Sequence, residues 1–239
     1  MNQLEHILHP NTAQERYRHE LKYVCSEGEL QIIQSRIQQL CRRDAHASSR
    51  GIYHIRSVYF DDRQNRFYYE NENGNDPREK FRIRIYNNSD SKITLECKKK
   101  QRSMTHKDSC SLTREQYQKI LSGTLPVHAD QPLLLRKFLL QQAQTGLEPK
   151  VIVAYERTPF VYPFGNVRIT FDRNIGSTTD IDAFFDPHLP LRPILPAGNH
   201  VLEVKYDELL PSFLYEAMNL GSLRQTAFSK YYLCRKYTI

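Results

Sequence analysis

No tryptophan occurs among the 239 residues, although Tyr (15) and Phe (11) are plentiful. Cysteine is sparse: Cys25, Cys41, Cys97, Cys110 and Cys234 make an odd five, with no CxxC pair. This argues against a disulfide framework or a thiolate zinc site and fits a reducing compartment, so a cytoplasmic location is expected. No apolar run approaches the ~20 residues that a membrane-spanning helix needs. The N-terminal MNQLEHILHPNTAQ lacks the basic stretch and long apolar run of a signal peptide. The expectation is a soluble protein without a transmembrane segment, which leaves a membrane-protein partner possible but unread. Internal repeats and low-complexity segments are missing too. His54, His106 and His200 have no metal-ligand spacing and read as ordinary polar residues.

What is abundant is positive charge. Lys and Arg number 34 against 27 Asp and Glu, giving a net charge of +7 and a pI near 9.1. Anionic partners follow: nucleic acid, phosphorylated small molecules or an anionic surface. Apolar residues make up 39%, enough for the core of one large domain.

The charge is concentrated in residues 78–111, REKFRIRIYNNSDSKITLECKKKQRSMTHKDSCS, which read as three consecutive strands. Residues two apart on a strand share a face. Phe81, Ile83 and Ile85 therefore oppose Arg82 and Arg84. After a turn at Asn87 to Asp90, Ile93, Leu95 and Cys97 oppose Thr94, Glu96, Lys98 and Lys100. In the third strand Thr105, Lys107 and Ser109 oppose Met104, His106, Asp108 and Cys110. Solvated strand faces usually mix both signs, whereas this one is nearly all cationic. Two arginines at i, i+2 offer planar forks that suit phosphate or carboxylate oxygens. A sheet lined in this way is built around a multiply charged anion.

The same alternation recurs along the chain. Residues 1–15 read as a lead-in, and residues 16–239 as a single domain. Residues 16–25 form a strand with Arg18, Glu20 and Lys22 on one face. Ser26 is an N-cap, with Glu27 and Glu29 in the first turn of a helix that carries Leu30, Ile33, Ile37 and Leu40 and ends at Arg42 and Arg43. Further strands cover 53–61, 150–157, 167–173 and 200–207, the pairs Tyr155/Arg157 and Glu203/Lys205 each sharing a face, as do Arg168, Thr170 and Asp172. Pro159, Pro163 and Gly165 place a turn over 158–166. Helices are expected from Thr113, over 133–144 with Leu134, Lys137, Phe138 and Gln141 on one side, over 209–220, and in the tail that holds Ser229 and Lys230. Asp61 and Asp62 read as caps of the helix that follows them. Strands with one charged and one apolar face, interleaved with apolar-striped helices, predict an α+β fold. Its centre is an eight-stranded antiparallel closed barrel with a charged lumen and helices outside. Glu20, Glu96, Asp172 and Glu203 would pair part of the buried charge, and a polyanion the rest.

Eight short motifs run in order through the chain. They are R-x-E-x-K-Y (Arg18, Glu20, Lys22, Tyr23), YFDD (Tyr59 to Asp62), R-x-R (Arg82, Arg84) and L-E-C-K (Leu95 to Lys98). YER (Tyr155 to Arg157), R-x-T-x-D (Arg168, Thr170, Asp172), LEVKY (Leu202 to Tyr206) and FSKY (Phe228 to Tyr231) complete the set. In that order they resemble the VTC domain, the polyphosphate polymerase domain of the vacuolar transporter chaperone family, within the triphosphate tunnel metalloenzymes that include the CYTH group. The resemblance implies a tunnel in which basic residues hold a triphosphate or polyphosphate and acidic residues hold Mg²⁺ or Mn²⁺. By motif, Lys22, Arg82, Arg84, Lys98, Arg157 and Lys230 would carry the reaction. Arg18, Lys107, Arg168 and Lys205 would complete the phosphate-binding set. Glu203 would bind the metal, with Glu20 and Glu96 as further candidates.

Two departures qualify the match. Arg18 stands where the CYTH pattern has the first Glu of E-x-E-x-K, which disfavours the cyclases and thiamine triphosphatases of that group. Ala227 occupies a basic family position, which Arg224 could replace. The implied activity is transfer of a terminal phosphoryl group from a nucleoside triphosphate to a growing polyphosphate. A triphosphate or polyphosphate hydrolase, with Glu20 or Glu96 orienting water, and a non-catalytic polyphosphate binder are the alternatives. Nucleic acid is not an expected partner, because the arginines lie inside and no aromatic platform for bases is evident.

Overall fold

In the computed structural model, residues 17–44, 51–102, 104–236 and 238 are described. The expected lead-in falls outside them. Ten strands form one antiparallel sheet: β1 (His19–Ser26), β2 (Arg42–Arg43), β3 (Tyr53–Asp61), β4 (Arg78–Tyr86), β5 (Ser89–Gln101), β6 (Met104–Leu112), β7 (Glu148–Tyr162), β8 (Val167–Thr178), β9 (Arg192–Pro193) and β10 (Asn199–Tyr206). The helices are α1 (Glu27–Leu40), α2 (Arg66–Glu72), α3 (Arg114–Leu121), α4 (Leu133–Thr145), α5 (Ser212–Ala217) and α6 (Lys230–Lys236). The main path runs β1-β10-β8-β7-β3-β4-β5-β6, with β2 added to β7 and β9 to β8.

The sheet curls, but it does not close as a barrel. Its edge strands meet at a single bridge, where Arg18 and Thr105 exchange two backbone hydrogen bonds of 3.0 Å. Beyond that point no ladder joins β1 to β6 among the described residues. The expected closed barrel is therefore an open, curled sheet pinned at one corner. Neighbouring edges need matched registers over several residues to zip, and here only one pair lines up.

Parity decides which face is which. The outward residues of β4 and β5, Phe81, Ile83, Ile85, Leu95 and Cys97, are all fully buried. They share one apolar cluster with Leu135 and Phe138 of α4 and with Tyr117 and Ile120 of α3. A second cluster joins Ile169, Phe171, Leu202 and Val204 to Leu30, Ile33 and Ile37 of α1 and Leu214 of α5. Burial of each such side chain contributes about 1.5–3 kcal/mol. The helices thus cover the sheet from outside and leave the charged face inward.

Local signals explain most boundaries. Ser26 caps α1 through a reciprocal box with Glu29, and Thr113 caps α3 in the same way with Gln116. The β4–β5 hairpin turns on Asn87 and Asn88, both left-handed (φ 51° and 57°), so Ser89 and Asp90 already belong to β5. Several expectations fail for physical reasons. Helix α1 stops at Leu40, which is exposed, and Arg42 and Arg43 pair with Val161 and Phe160 as β2. β7 continues through Pro159 to Tyr162, because Pro159 opposes Thr170 and its carbonyl still accepts from Asp44 N–H. Helix α4 buries Phe138 of the expected side, but together with Leu135 and Leu139 rather than with Leu134 and Gln141. The helix expected over 209–220 shortens to α5 after Pro211, followed by a 3₁₀ turn at Leu220–Ser222.

Asp61 is a cap, as read from the sequence, and more. Fully buried, its carboxylate accepts from the N–H groups of Asp62, Phe67 and Tyr68 and from Tyr231 Oη. It therefore ties the end of β3 to α2 and α6. Asp61→Ala would strand these donors and should destabilise the fold by on the order of 3 kcal/mol. Urea unfolding checks this: a lowered midpoint at constant slope is expected, and an unchanged midpoint refutes it.

Candidate active site: a cationic cavity

The inward face encloses a cavity of about 400 Å³. Eleven lysines and arginines line it against two carboxylates, Glu20 and Glu203. All ten basic residues expected from the sequence are among them: Arg18, Lys22, Arg82, Arg84, Lys98, Lys107, Arg157, Arg168, Lys205 and Lys230. The eleventh, Lys80, escaped the sequence reading although it lies at i−2 from Arg82, the same spacing that marked Arg84. Tyr59, Tyr86 and Tyr155 were missed as well; they share the inward parity and line the same cavity.

Register explains how the cations are placed. Along β4 and β5 the inward pairs are Arg84/Thr94, Arg82/Glu96, Lys80/Lys98 and Arg78/Lys100. These rungs carry positive charge from the main cavity into an adjoining one of about 300 Å³, which Arg78 and Lys100 line. Glu20, Lys22, Lys80, Lys98 and Ser229 border both cavities. The segment before α6 lies along this boundary. Thr226 N–H donates to Lys22 O (2.8 Å), Lys22 Nζ donates to Phe228 O (2.9 Å), and Lys80 Nζ lies 3.2 Å from Ser229 Oγ.

Two carboxylates sit behind the cations and aim them. Glu96 is 1% exposed and does not line the cavity. Its oxygens take Arg82 (Nε 2.7 Å, Nη2 2.6 Å) and Lys107 (2.9 Å), with Arg84 at 3.7 Å. Arg82 Nη1 also donates to Tyr59 Oη (2.9 Å). Burial alone would raise the Glu96 carboxyl, but Arg82, Arg84 and Lys107 hold it well below the usual carboxylate range. Asp172 plays the same part on β8. Fully buried, it receives Arg157 in a bidentate pair (2.6 and 2.7 Å) and Lys230 at 2.7 Å. Against the burial that opposes their charge, Asp172 raises both cations above their ordinary values. Arg157 points inward beside Tyr155, whose phenol Arg157 and Arg84 lower against its burial.

Glu20 and Glu203 face the cavity itself. Lys22 lies 2.8 Å from Glu20 and 3.7 Å from Glu203, while Lys98 (2.5 Å) and Lys205 (2.8 Å) hold their outer sides. Burial opposes both charges, but the lysines keep both carboxyls well below the usual range. Glu20 Oε1 is buried without an aligned hydrogen bond. Two all-oxygen carboxylates facing the cavity suit a hard divalent cation such as Mg²⁺ or Mn²⁺, which would displace the lysines that now hold their oxygens. The structure does not bring Glu96 to this pair: its three cations hold it behind the wall, and no cluster of three metal-ligating side chains exists among the described residues.

At the rim, Arg18 pairs with Asp207 (3.0 Å), and Arg168 with Asp44 (2.8 Å) and Tyr53 Oη (2.9 Å). Ala227 lines the smaller cavity. Arg224 is exposed and lines neither, so it does not stand in for the missing basic side chain. The neighbouring Lys80 already supplies positive charge there.

A VTC domain model matches residues 17–239, nearly the whole chain. The chain belongs to the VTC domain family. No curated protein matches the sequence. Among solved structures, this VTC domain is similar to a candidate adenylyl cyclase from Hippeastrum, HpAC1, described with a dominant triphosphatase activity. The TM-score is 0.56 at 11% identity, over 93% of this chain and 96% of the other. A candidate adenylate cyclase of Bacillus halodurans gives 0.51 at 13% identity, over 89% and 95%. At such identities the likeness is one of fold. No helix among the described residues is long and apolar enough to cross a membrane.

Two lysines of the VTC domain are held against their charge. Burial, then Lys98, Lys22, Arg82 and Arg78, push Lys80 well below its ordinary value. Burial, aided by Lys22 and Lys205 and opposed by Glu20 and Glu203, lowers Lys98 to about 7. A polyanion favours the charged form of Lys98, so binding above pH 7 should take up protons. Affinity for metal-free tripolyphosphate should fall as pH rises from 7 to 9, by at most about tenfold per unit per proton. Calorimetry in two buffers of different ionisation enthalpy measures the uptake. It should shrink in Lys98→Arg, and zero uptake by the wild type would contradict this assignment.

Proposed function

We propose that this VTC domain binds a nucleoside triphosphate and polyphosphate in its cavity and transfers the terminal phosphoryl group onto the polyphosphate end. The observation that carries this reading is the cation row of β4 and β5 inside a cavity whose basic side chains far outnumber its carboxylates. Such an excess inside a protein is costly unless a polyanion meets it.

Phosphoryl transfer asks the protein mainly for positioning and charge neutralisation. Arg82 and Arg84, steadied by Glu96, present forks to phosphate oxygens. Arg157 and Lys230, steadied by Asp172, do so from another wall, and Lys22 and Lys98 sit between. Glu20 and Glu203 would hold Mn²⁺ or Mg²⁺, which would supply positive charge to offset the charge that develops on the transferred phosphoryl group. The accepting phosphate is already anionic near neutral pH, so no strong general base is needed. An acceptor chain longer than a triphosphate has room in the adjoining cavity lined by Arg78 and Lys100.

Incubation with ATP and Mn²⁺, resolved on a gel stained for polyphosphate, tests the proposal. A polyphosphate ladder is expected. Free phosphate without polymer would replace transfer by hydrolysis, and intact ATP with tripolyphosphate bound would leave a binding domain.

A further inference from the structure

Ser229 has no part in the transfer just described, yet it occupies the boundary between the two cavities. It directly precedes α6, is only 7% exposed, and its hydroxyl oxygen accepts from Tyr232 N–H at 3.3 Å. Lys80 Nζ stands 3.2 Å from the same oxygen. Lys80 differs from the other lysines around it. Lys22, Lys98, Lys107, Lys205 and Lys230 each have a carboxylate within ion-pair distance. Among the described residues no carboxylate reaches Lys80.

The groups that face Lys80 explain its state. Arg78 and Arg82 flank it on β4, Lys98 opposes it on β5, and Lys22 approaches from β1 beside Glu20. From the C-terminal segment, the Ser229 hydroxyl lies within hydrogen-bond reach. Desolvation and this surplus of positive neighbours favour the neutral amine. An amine free to take a proton, beside a hydroxyl in hydrogen-bond reach, is an activated-nucleophile arrangement. The surrounding cations would hold a phosphate chain against that hydroxyl.

We infer that Ser229 is a nucleophile, with Lys80 as its base, and accepts a phosphoryl group from a triphosphate or polyphosphate bound in the cavity. In this step the Ser229 Oγ–phosphorus bond forms. The bond from that phosphorus to its bridging oxygen breaks, and the electron pair leaves with the nucleoside diphosphate or shortened chain. The hydroxyl proton passes to Lys80 Nζ. The product is a phosphate monoester fixed where the two cavities meet, next to Lys22 and Lys98. The inference rests on the binding reading above, but not on polymerase activity.

The test incubates the full chain with Mn²⁺ and either ATP or inorganic tripolyphosphate, and then maps phosphorylation by peptide mass spectrometry. A phosphate on Ser229 that survives acid is expected; a lysine phosphoramidate would not survive. Ser229→Ala should remove it. Lys80→Arg is permanently protonated and cannot serve as a base, and it should slow labelling by about 10²-fold or more. Wild-type protein without phosphoserine at Ser229 from either donor would overturn the inference, as would Lys80→Arg labelled at the wild-type rate. A polyphosphate gel on the same reactions separates the two readings: polymer without phosphoserine sinks this inference alone, whereas phosphoserine without polymer sinks only the polymerase.

Discussion

Replacing Asp172 by Ala should cost the domain roughly 3–5 kcal/mol, the range for removing one partner of a buried ion pair. The side chain is fully buried and receives Arg157 through both oxygens, with Lys230 also bound. Without it the nearest recorded carboxylate for Arg157 is Glu203 at 3.7 Å, already engaged by Lys205. Two cations would then stand buried with one shared, distant counter-charge. For a chain of this size each kcal/mol shifts the melting temperature by about 2–4 °C, so a fall of roughly ten degrees is expected. The nature of the damage supplies a second readout. The uncovered cations remain able to bind phosphate, so tripolyphosphate should stabilise Asp172→Ala more than it stabilises the wild type. A melting temperature within a degree or two of wild type would show that Asp172 does not anchor this wall.

The second large effect separates binding from turnover. Arg82→Ala removes a fork aimed by Glu96 and Tyr59. Charge-assisted hydrogen bonds contribute about 1.5–3 kcal/mol each, so tripolyphosphate affinity should fall by about one to two powers of ten, with or without metal. Glu203→Gln does the opposite to the field: it removes a negative charge that faces the cavity between Lys22, Lys205 and Arg157. Metal-free polyphosphate should then bind as well as before or better, while metal-dependent turnover is lost. Isothermal titration without metal, paired with turnover of ATP in Mn²⁺, measures both. An Arg82→Ala variant of unchanged affinity, or a Glu203→Gln variant with full turnover, would reassign these residues.

How far the sequence carried these assignments depends on the range of the interaction involved. Strand parity is a local property, and it placed Arg82, Arg84, Lys98, Lys107, Arg157 and Lys205 on the inner face, where the structure has them. The same rule applied to Lys80 would have found it, since it lies two residues before Arg82. Caps are local too, and Ser26, Thr113 and Asp61 fell where their neighbours required. What parity cannot tell is depth. Glu96 and Asp172 alternate inward with the rest, but cations from other strands cover them, so they aim side chains instead of facing the cavity. Closure was misread because it depends on the register between strands 80 residues or more apart in sequence, and only Arg18 and Thr105 match. The partners of the C-terminal segment were hidden likewise. Nothing local to Phe228 and Ser229 announces that Lys22 and Lys80 lie beside them.

The claim on which the rest depends is that phosphate chains bind inside the curled sheet. A crystal structure of the protein with inorganic tripolyphosphate tests it most directly. The account predicts phosphates in the cavity, in contact with Arg82 and Arg84 on one wall and with Arg157 or Lys230 on another. Tripolyphosphate found only on the outer, helix-covered surface, with the inner cations still paired as they are here, would contradict it.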